Sequence, residues 1–286
     1  MNFILSTDTT CDLTLPQMQE KGISFISLAY RLDGEEYGLD EGKSISLKDY
    51  YSAMREGKKT GTSMSNVQQA LDYFEPLVKS GKDVLHICFA SALSGTYESM
   101  KNAAEELNAK YSNKVHVVDS KCACMGEGLL VLLVWDYAKN HTVEECVLYA
   151  EEVKNRVVHL FTVDTLKYLA SGGRVSKATA MVGNILKIKP VLCVDEDGHL
   201  VAKTKVIGRK ASLNKLIEKT AEKFTGESDY LIVSHADCAE DAEFVANALS
   251  QKLNVKVMIG DIGYVIGGHS GPGTLAVFFL GKDRTF

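Results

Sequence analysis

The chain reads as an α/β protein in two parts, a parallel-sheet first half and a mixed-sheet second half. Three observations predict this. Short apolar runs alternate with helix-period stretches from Phe3 to about Val157, the pattern of strands and crossover helices. After that point apolar runs pair across turn signals, as in antiparallel hairpins. The longest apolar run, Gly128 to Trp135, is far short of the roughly 20 residues that span a bilayer. We therefore expect two α/β domains, 1–157 and 158–286, with no true linker between them.

In the first half, Phe3 to Leu5 reads as a buried strand closed by the polar loop Ser6 to Thr10. A helix near Leu15 to Lys21 suits Pro16 to its first turn, and Ile23 to Leu28 reads as a strand. Asp33-Gly34 marks a turn. Ser46 opens a helix to about Glu56, and the loop Lys58 to Ser65 follows. Ser65 with Gln68 has capping-box spacing for a helix through Leu77. Val84 to Phe89 is a strand, Tyr97 to Lys110 a helix, and Val115 to Val118 a strand. Met125 to about Lys139 is apolar nearly all round, so it should be a buried helix. Thr142 with Glu145 caps the helix that runs to Arg156.

The second half opens with a strand at Leu160 to Val163, and two short helices flank Ser171 to Arg174. Val191 to Val194 and Leu200 to Val206 bracket Asp195 to Gly198 as a hairpin. Helices are expected at Ala211 to Phe224 and Ala239 to Leu253, and strands at Tyr230 to Val233 and Val255 to Ile259. The last strand, Thr274 to Leu280, follows a glycine-rich loop from Gly267 to Gly273 that carries His269.

Composition narrows the function. The 286 residues are 45% hydrophobic and 24% charged, with a net charge of −5. That balance argues against nucleic-acid binding by bulk electrostatics. Phe3 to Leu5 is followed at once by Ser6, Thr7 and Asp8, which is unlike a signal peptide. The seven cysteines are odd in number and scattered, and the close pair Cys122-Ala-Cys124 lacks C-x-x-C spacing. The expectation is a reduced, cytoplasmic protein without a transmembrane segment, metal or cofactor.

Three hydroxyl- and glycine-rich segments are the candidate chemistry: Gly61 to Ser65, Ser91 to Thr96, and the His269 loop. The first two lie ahead of helices, where backbone N–H groups and the positive dipole end favour an anionic oxygen. Ser65, Ser94 and Thr96 could instead act only as helix caps. A serine hydrolase built on Ser94 and His269 is the enzyme alternative, although Leu93-Ser94-Gly95 lacks the first glycine of a nucleophile elbow. Neither a P-loop nor a dinucleotide fingerprint is present. Arg174, Lys177, Arg209 and Lys210 flank turns and form a candidate basic rim for an anion site or a docking partner.

The segments TGTSMSN, SALSGTYESM, VVDSKCACMGEGLL, YLASGGRVSK and HSGPGT occur in an order that resembles the DegV family of bacterial fatty-acid-binding proteins. The resemblance spans about residues 3–282. It implies a two-domain α/β protein that binds a long-chain fatty acid such as hexadecanoate and carries no catalytic residues or cofactor. The carboxylate contacts it implies are Thr62, Ser94 and His269, with Ser63, Gly95 and Thr96 nearby. It also implies a partner, the catalytic subunit of a fatty acid kinase, for which Arg174, Arg209 and Lys210 are the candidate surface. Met64, Ser65 and Asn66 depart from the common T-S-Q-P-S pattern, and Ala90 stands where a serine is common. A C16 tail could contribute on the order of 10 kcal/mol before ordering costs, at about 0.8 kcal/mol per methylene.

Overall fold

The computed structural model describes residues 1–38, 45–175, 187–284 and 286. By contact grouping the chain falls into two compact units, Met1–Leu28 with Ser63–Asn155, and Ala29–Thr62 with Arg156–Phe286. The segment 29–62 thus leaves the first half of the sequence and groups with the second. The helix expected just after Arg174, and Lys177 with it, lie outside the described residues.

The first unit holds a parallel sheet of β1 (Ile4–Asp8), β2 (Ser24–Ile26), β6 (Val84–Cys88) and β7 (Val115–Asp119) in the order β2-β1-β6-β7. Its helices are α1 (Leu15–Lys21), α3 (Val67–Lys79), α4 (Thr96–Lys110), α5 (Met125–Tyr137) and α6 (Val143–Val153). All five residues of β6 are buried. A strand's side chains alternate between faces, so both faces of the sheet must be covered. Val84 and Cys88 join Phe74, Val78, Met100 and Leu107 of α3 and α4 in one core. Met125 to Val134 of α5 is buried throughout, as its all-round apolarity predicts.

Local chemistry explains several boundaries. Thr142 and Glu145 form the expected capping box, and Pro16 sits in the first turn of α1. The cap of α3 is Asn66 with Gln69, one residue beyond the expected Ser65 and Gln68. β1 runs on through Ser6, Thr7 and Asp8, which sequence reading placed in a loop. Those polar residues are buried because each finds a partner within the unit, as described below.

The second unit contains a six-stranded mixed sheet, ordered β10-β9-β8-β13-β11-β12. These strands are β8 (Val157–Thr162), β9 (Ile188–Val194), β10 (Leu200–Ile207), β11 (Leu231–His235), β12 (Met258–Asp261) and β13 (Leu275–Leu280). β8 and β13 are buried along their whole length. Helices α8 (Arg209–Lys223) and α9 (Ala239–Leu253) supply Leu213, Leu216, Val245 and Leu249 to its core. A small antiparallel sheet of β3 (Tyr30–Leu32), β4 (Glu35–Tyr37) and β5 (Thr60–Thr62) completes it, ordered β4-β3-β5. Asp33 and Gly34 both have positive φ, 54° and 94°, as a tight hairpin turn requires.

The glycine-rich segment around His269 is partly helical. It forms α10 (Tyr264–Ser270), which packs against β5, α2 (Leu47–Arg55) and α7 (Lys167–Ser171). Its glycines answer a packing demand. A Cβ at Gly267 would lie 2.1 Å from the Tyr51 hydroxyl oxygen, and one at Gly268 would lie 2.6 Å from that of Tyr50. Tyr51 donates to Ile262 O at 2.6 Å and Tyr50 to Tyr264 O at 3.2 Å, while Tyr30 stacks on Tyr264 at 4.3 Å. Tyrosines fill the space that side chains at Gly267 and Gly268 would occupy.

Candidate functional site

β5 presents two hydroxyls on one face, at Thr60 and Thr62, because strand side chains repeat every second residue. Thr60 Oγ1 donates to Gly268 O at 2.8 Å, and Thr62 Oγ1 lies 2.8 Å from His269 Nε2. The structure therefore joins two of the sequence-predicted residues, Thr62 and His269. Thr62 lies at the end of a strand, and His269 in the last turn of a helix.

His269 is mostly buried, and its pKa is held down to about 4, first by burial and then by the Arg174 guanidinium. The imidazole is neutral at ordinary pH. In the tautomer with hydrogen on Nε2, it donates to Thr62 Oγ1 and leaves the threonine hydrogen to point at a ligand oxygen. Arg174 also donates to Gly172 O, and burial lowers its own pKa. A hydroxyl and a neutral imidazole within electrostatic reach of a half-buried guanidinium can hydrogen-bond an anionic oxygen. Sequence reading left Arg174 as a rim of an anion site or of a docking surface; its charge reaches the His269 ring, whose pKa it helps to lower.

Ser94 belongs to the first unit, in the loop that follows β6. Strand order reverses between β1 and β6, and the carboxyl ends of strands at such a point favour ligands. Ser94 Oγ accepts from Thr96 N at 3.2 Å and lies 3.0 Å from Thr96 Oγ1. Gly95 is the N-cap of α4 and provides no side-chain cap, and the Ser94 hydroxyl takes the first amide of the turn in its place. Met64 covers this loop: a Cβ on Gly95 would lie 2.6 Å from its sulfur.

The remaining basic candidates differ in character. Arg209 Nε donates to Asp241 at 2.8 Å, and the Arg209 side chain is 23% exposed. Lys210 is exposed. Ser63 is half-buried and Thr96 fully buried.

The first unit also holds a buried carboxyl pair that sequence reading missed. Asp8 accepts from Thr10 N at 2.9 Å and Phe89 N at 3.0 Å. Thr10 Oγ1 lies 2.5 Å from Asp8 Oδ1 and 2.8 Å from Glu127 Oε2, and Thr7 Oγ1 donates to Glu127 Oε1 at 3.0 Å. One hydroxyl hydrogen cannot serve both carboxyls. Burial, then the Asp8 charge, pushes the Glu127 carboxyl well above its ordinary range. Burial raises the Asp8 carboxyl as well, and a proton held on the pair resolves the conflict at Thr10. The signal in the sequence was a glutamate in the otherwise apolar stretch Met125 to Trp135.

Asp8, His86 and Cys88 offer ligand atoms within 4.8 Å of one another. The Asp8 carboxylate already serves the donors above, and His86 Nδ1 lies 2.8 Å from Ser6 Oγ, which lies 2.6 Å from the Tyr73 hydroxyl. Burial pushes the Cys88 thiol well up and the His86 pKa down to about 3.

Known proteins resemble this chain along its whole length. A DegV domain-containing protein of Clostridium perfringens is 39% identical over 286 residues, covering 99% of this chain and 98% of its own. One from Streptococcus pyogenes is 34% identical over 288 residues, with 99% of each chain covered. The solved structure of DegV, a fatty acid binding protein from Bacillus subtilis, superposes with a TM-score of 0.83 at 28% identity, covering 99% of this chain and 100% of its own. A fatty acid binding DegV family protein of Streptococcus agalactiae gives 0.87 at 27% identity, with 99% and 100% covered. The pattern of the family described as "Uncharacterised protein, DegV family" matches residues 3–282, and this chain belongs to it.

Proposed function

We propose that the protein binds a long-chain fatty acid, for example hexadecanoate, with its carboxylate hydrogen-bonded by hydroxyls and its tail in a buried apolar tunnel. The observation that carries this reading is the Thr62–His269 pair at 2.8 Å, held neutral beside Arg174. The relatives from Bacillus subtilis and Streptococcus agalactiae, at 28% and 27% identity, are described as fatty acid binding, as is one from Thermus thermophilus at 26%. Thr62, His269 and Ser94 are each proposed as a head-group contact. Ser94 Oγ is engaged by Thr96 and His269 Nε2 by Thr62, an arrangement that favours binding over a serine–histidine hydrolase.

The bound acid would be presented to a separate kinase. There a carboxylate oxygen attacks the γ-phosphorus of ATP, the bond to the β-phosphate oxygen breaks, and ADP leaves with an acyl phosphate formed. We place this activity in the cytoplasm; among the described residues no helix is long and apolar enough to cross a membrane.

The test is to denature the purified protein, extract it and analyse the extract by mass spectrometry. A stoichiometric long-chain acid, and no turnover of ester substrates, is the expected result. Protein that carries no lipid and cannot be loaded with hexadecanoate would overturn the reading.

A further inference from the structure

We propose that Gly172 and Tyr168 are positioning residues that fix the His269 ring through a reciprocal pair of ring-on-glycine contacts. The inference rests on the reading of His269 as a head-group contact and deepens it. Tyr168 and Gly172 are four residues apart, on and just after α7, and so share one face. His269 and Gly271 stand at the end of α10. A Cβ at Gly172 would lie 2.4 Å from His269 Nδ1, so the imidazole occupies the place of the missing side chain. A Cβ at Gly271 would lie 2.1 Å from Tyr168 Cδ2, so the phenol ring occupies the other gap.

Each segment therefore offers one ring and one glycine to the other. Gly271 also has φ +84°, a conformation that resists any side chain. Gly172 has φ −77°, so close approach alone requires glycine there. Tyr168 is anchored at its far end, donating to Met54 O of α2 at 3.1 Å. The Gly172 contact packs one side of the imidazole and the Tyr168 contact fixes Gly271 at the helix end that carries it, and together they hold Nε2 at hydrogen-bond distance from Thr62. Gly172 further ties the site together because its carbonyl accepts from Arg174, the cation that acts on the same ring.

The test is Gly172→Ala in the full-length protein, with three readouts. The first is the proton NMR titration of His269 in lipid-free protein. Displacement toward solvent should raise its pKa from about 4 toward the ordinary value near 6.5. The second is hexadecanoate affinity by calorimetry, expected to fall at least tenfold. The third repeats the affinity measurement in a His269→Ala background, where the new methyl has room and should change affinity less than twofold. If Gly172→Ala fails to fold, Tyr168→Leu carries the titration test, again with an upward shift expected.

An unmoved His269 titration in a folded variant would overturn the proposal. So would an equal affinity loss in both backgrounds, because the effect would then bypass the imidazole. If His269→Ala alone binds hexadecanoate normally, the head-group reading fails, while the titration still reports separately on positioning.

Discussion

A threonine beside a neutral imidazole can do what a lysine cannot: offer a directed hydrogen to a carboxylate without a full charge to desolvate. That makes single hydroxyls consequential. Thr62→Ala and Ser94→Ala should each weaken hexadecanoate binding by about 1.5–3 kcal/mol, the worth of a hydrogen bond to a charged group. Wild-type affinity in either folded variant would remove that residue from the head-group contacts. The pH dependence has a definite sign. His269 has a folded pKa of about 4, below the ordinary 6.5, so its contribution to stability is complete above pH 6.5. That contribution is lost as pH falls toward 4, because the unfolded chain takes up the proton first. Urea melts of wild type and His269→Asn at pH 7 and pH 5 should diverge, with wild type losing more on acidification.

At the level of elements, α5 and α10 show where residue type conceals the environment. Glu127 stands in the first turn of α5, fully buried against Asp8 through Thr10. A carboxyl whose folded pKa lies above its unfolded value stabilises most below the unfolded value. It loses that contribution as pH rises toward the folded one, at about 1.4 kcal/mol per unit of separation. Glu127→Gln removes this dependence, so the variant should gain on wild type between pH 5 and pH 8 in urea melts. Equal pH slopes would show that Glu127 is ionised in the fold. For α10, replacing a helical glycine by alanine ordinarily gains up to about 1 kcal/mol. Gly267→Ala should instead destabilise by about 1–3 kcal/mol, since its methyl meets the Tyr51 hydroxyl at 2.1 Å. Tyr51→Phe should recover part of that loss in thermal melts. The same two helices mark the limit of what the sequence discloses. The caps at Thr142 and the turn at Asp33-Gly34 were legible because their chemistry is local. Gly267 and Gly268 look like loop residues until Tyr50 and Tyr51 are seen filling their space. Ser6 to Asp8 looks like a loop until His86, Tyr73 and Glu127 are seen as partners from elsewhere in the chain.

Across the whole molecule, the segment 29–62 leaves one unit to complete the other, and it takes Thr62 with it. Its strands are three residues each, too short for periodicity to speak, and β5 pairs with β3 only after α2 intervenes. The Thr62–His269 contact, separated by 207 positions, was therefore not legible from the residues themselves; the family resemblance alone placed the two at one carboxylate. The charge pattern carries the last prediction. A kinase partner brings its own nucleotide phosphates, so exposed cations on this protein would steer docking rather than hold lipid. Arg209 is a poor probe of that idea, because its ion pair with Asp241 means that a charge reversal there also perturbs the α8–α9 contact. Lys210 is exposed and tests the surface cleanly. Lys210→Glu should leave hexadecanoate affinity within about twofold while lowering acyl-phosphate formation at limiting binding protein. The deficit should narrow as salt rises from 50 to 300 mM, since a Debye length near 10 Å at 0.1 M screens such contacts. Unchanged turnover at both salt concentrations, with lipid occupancy verified, would take Lys210 out of the docking surface and leave Arg174 and Arg209 as its remaining candidates.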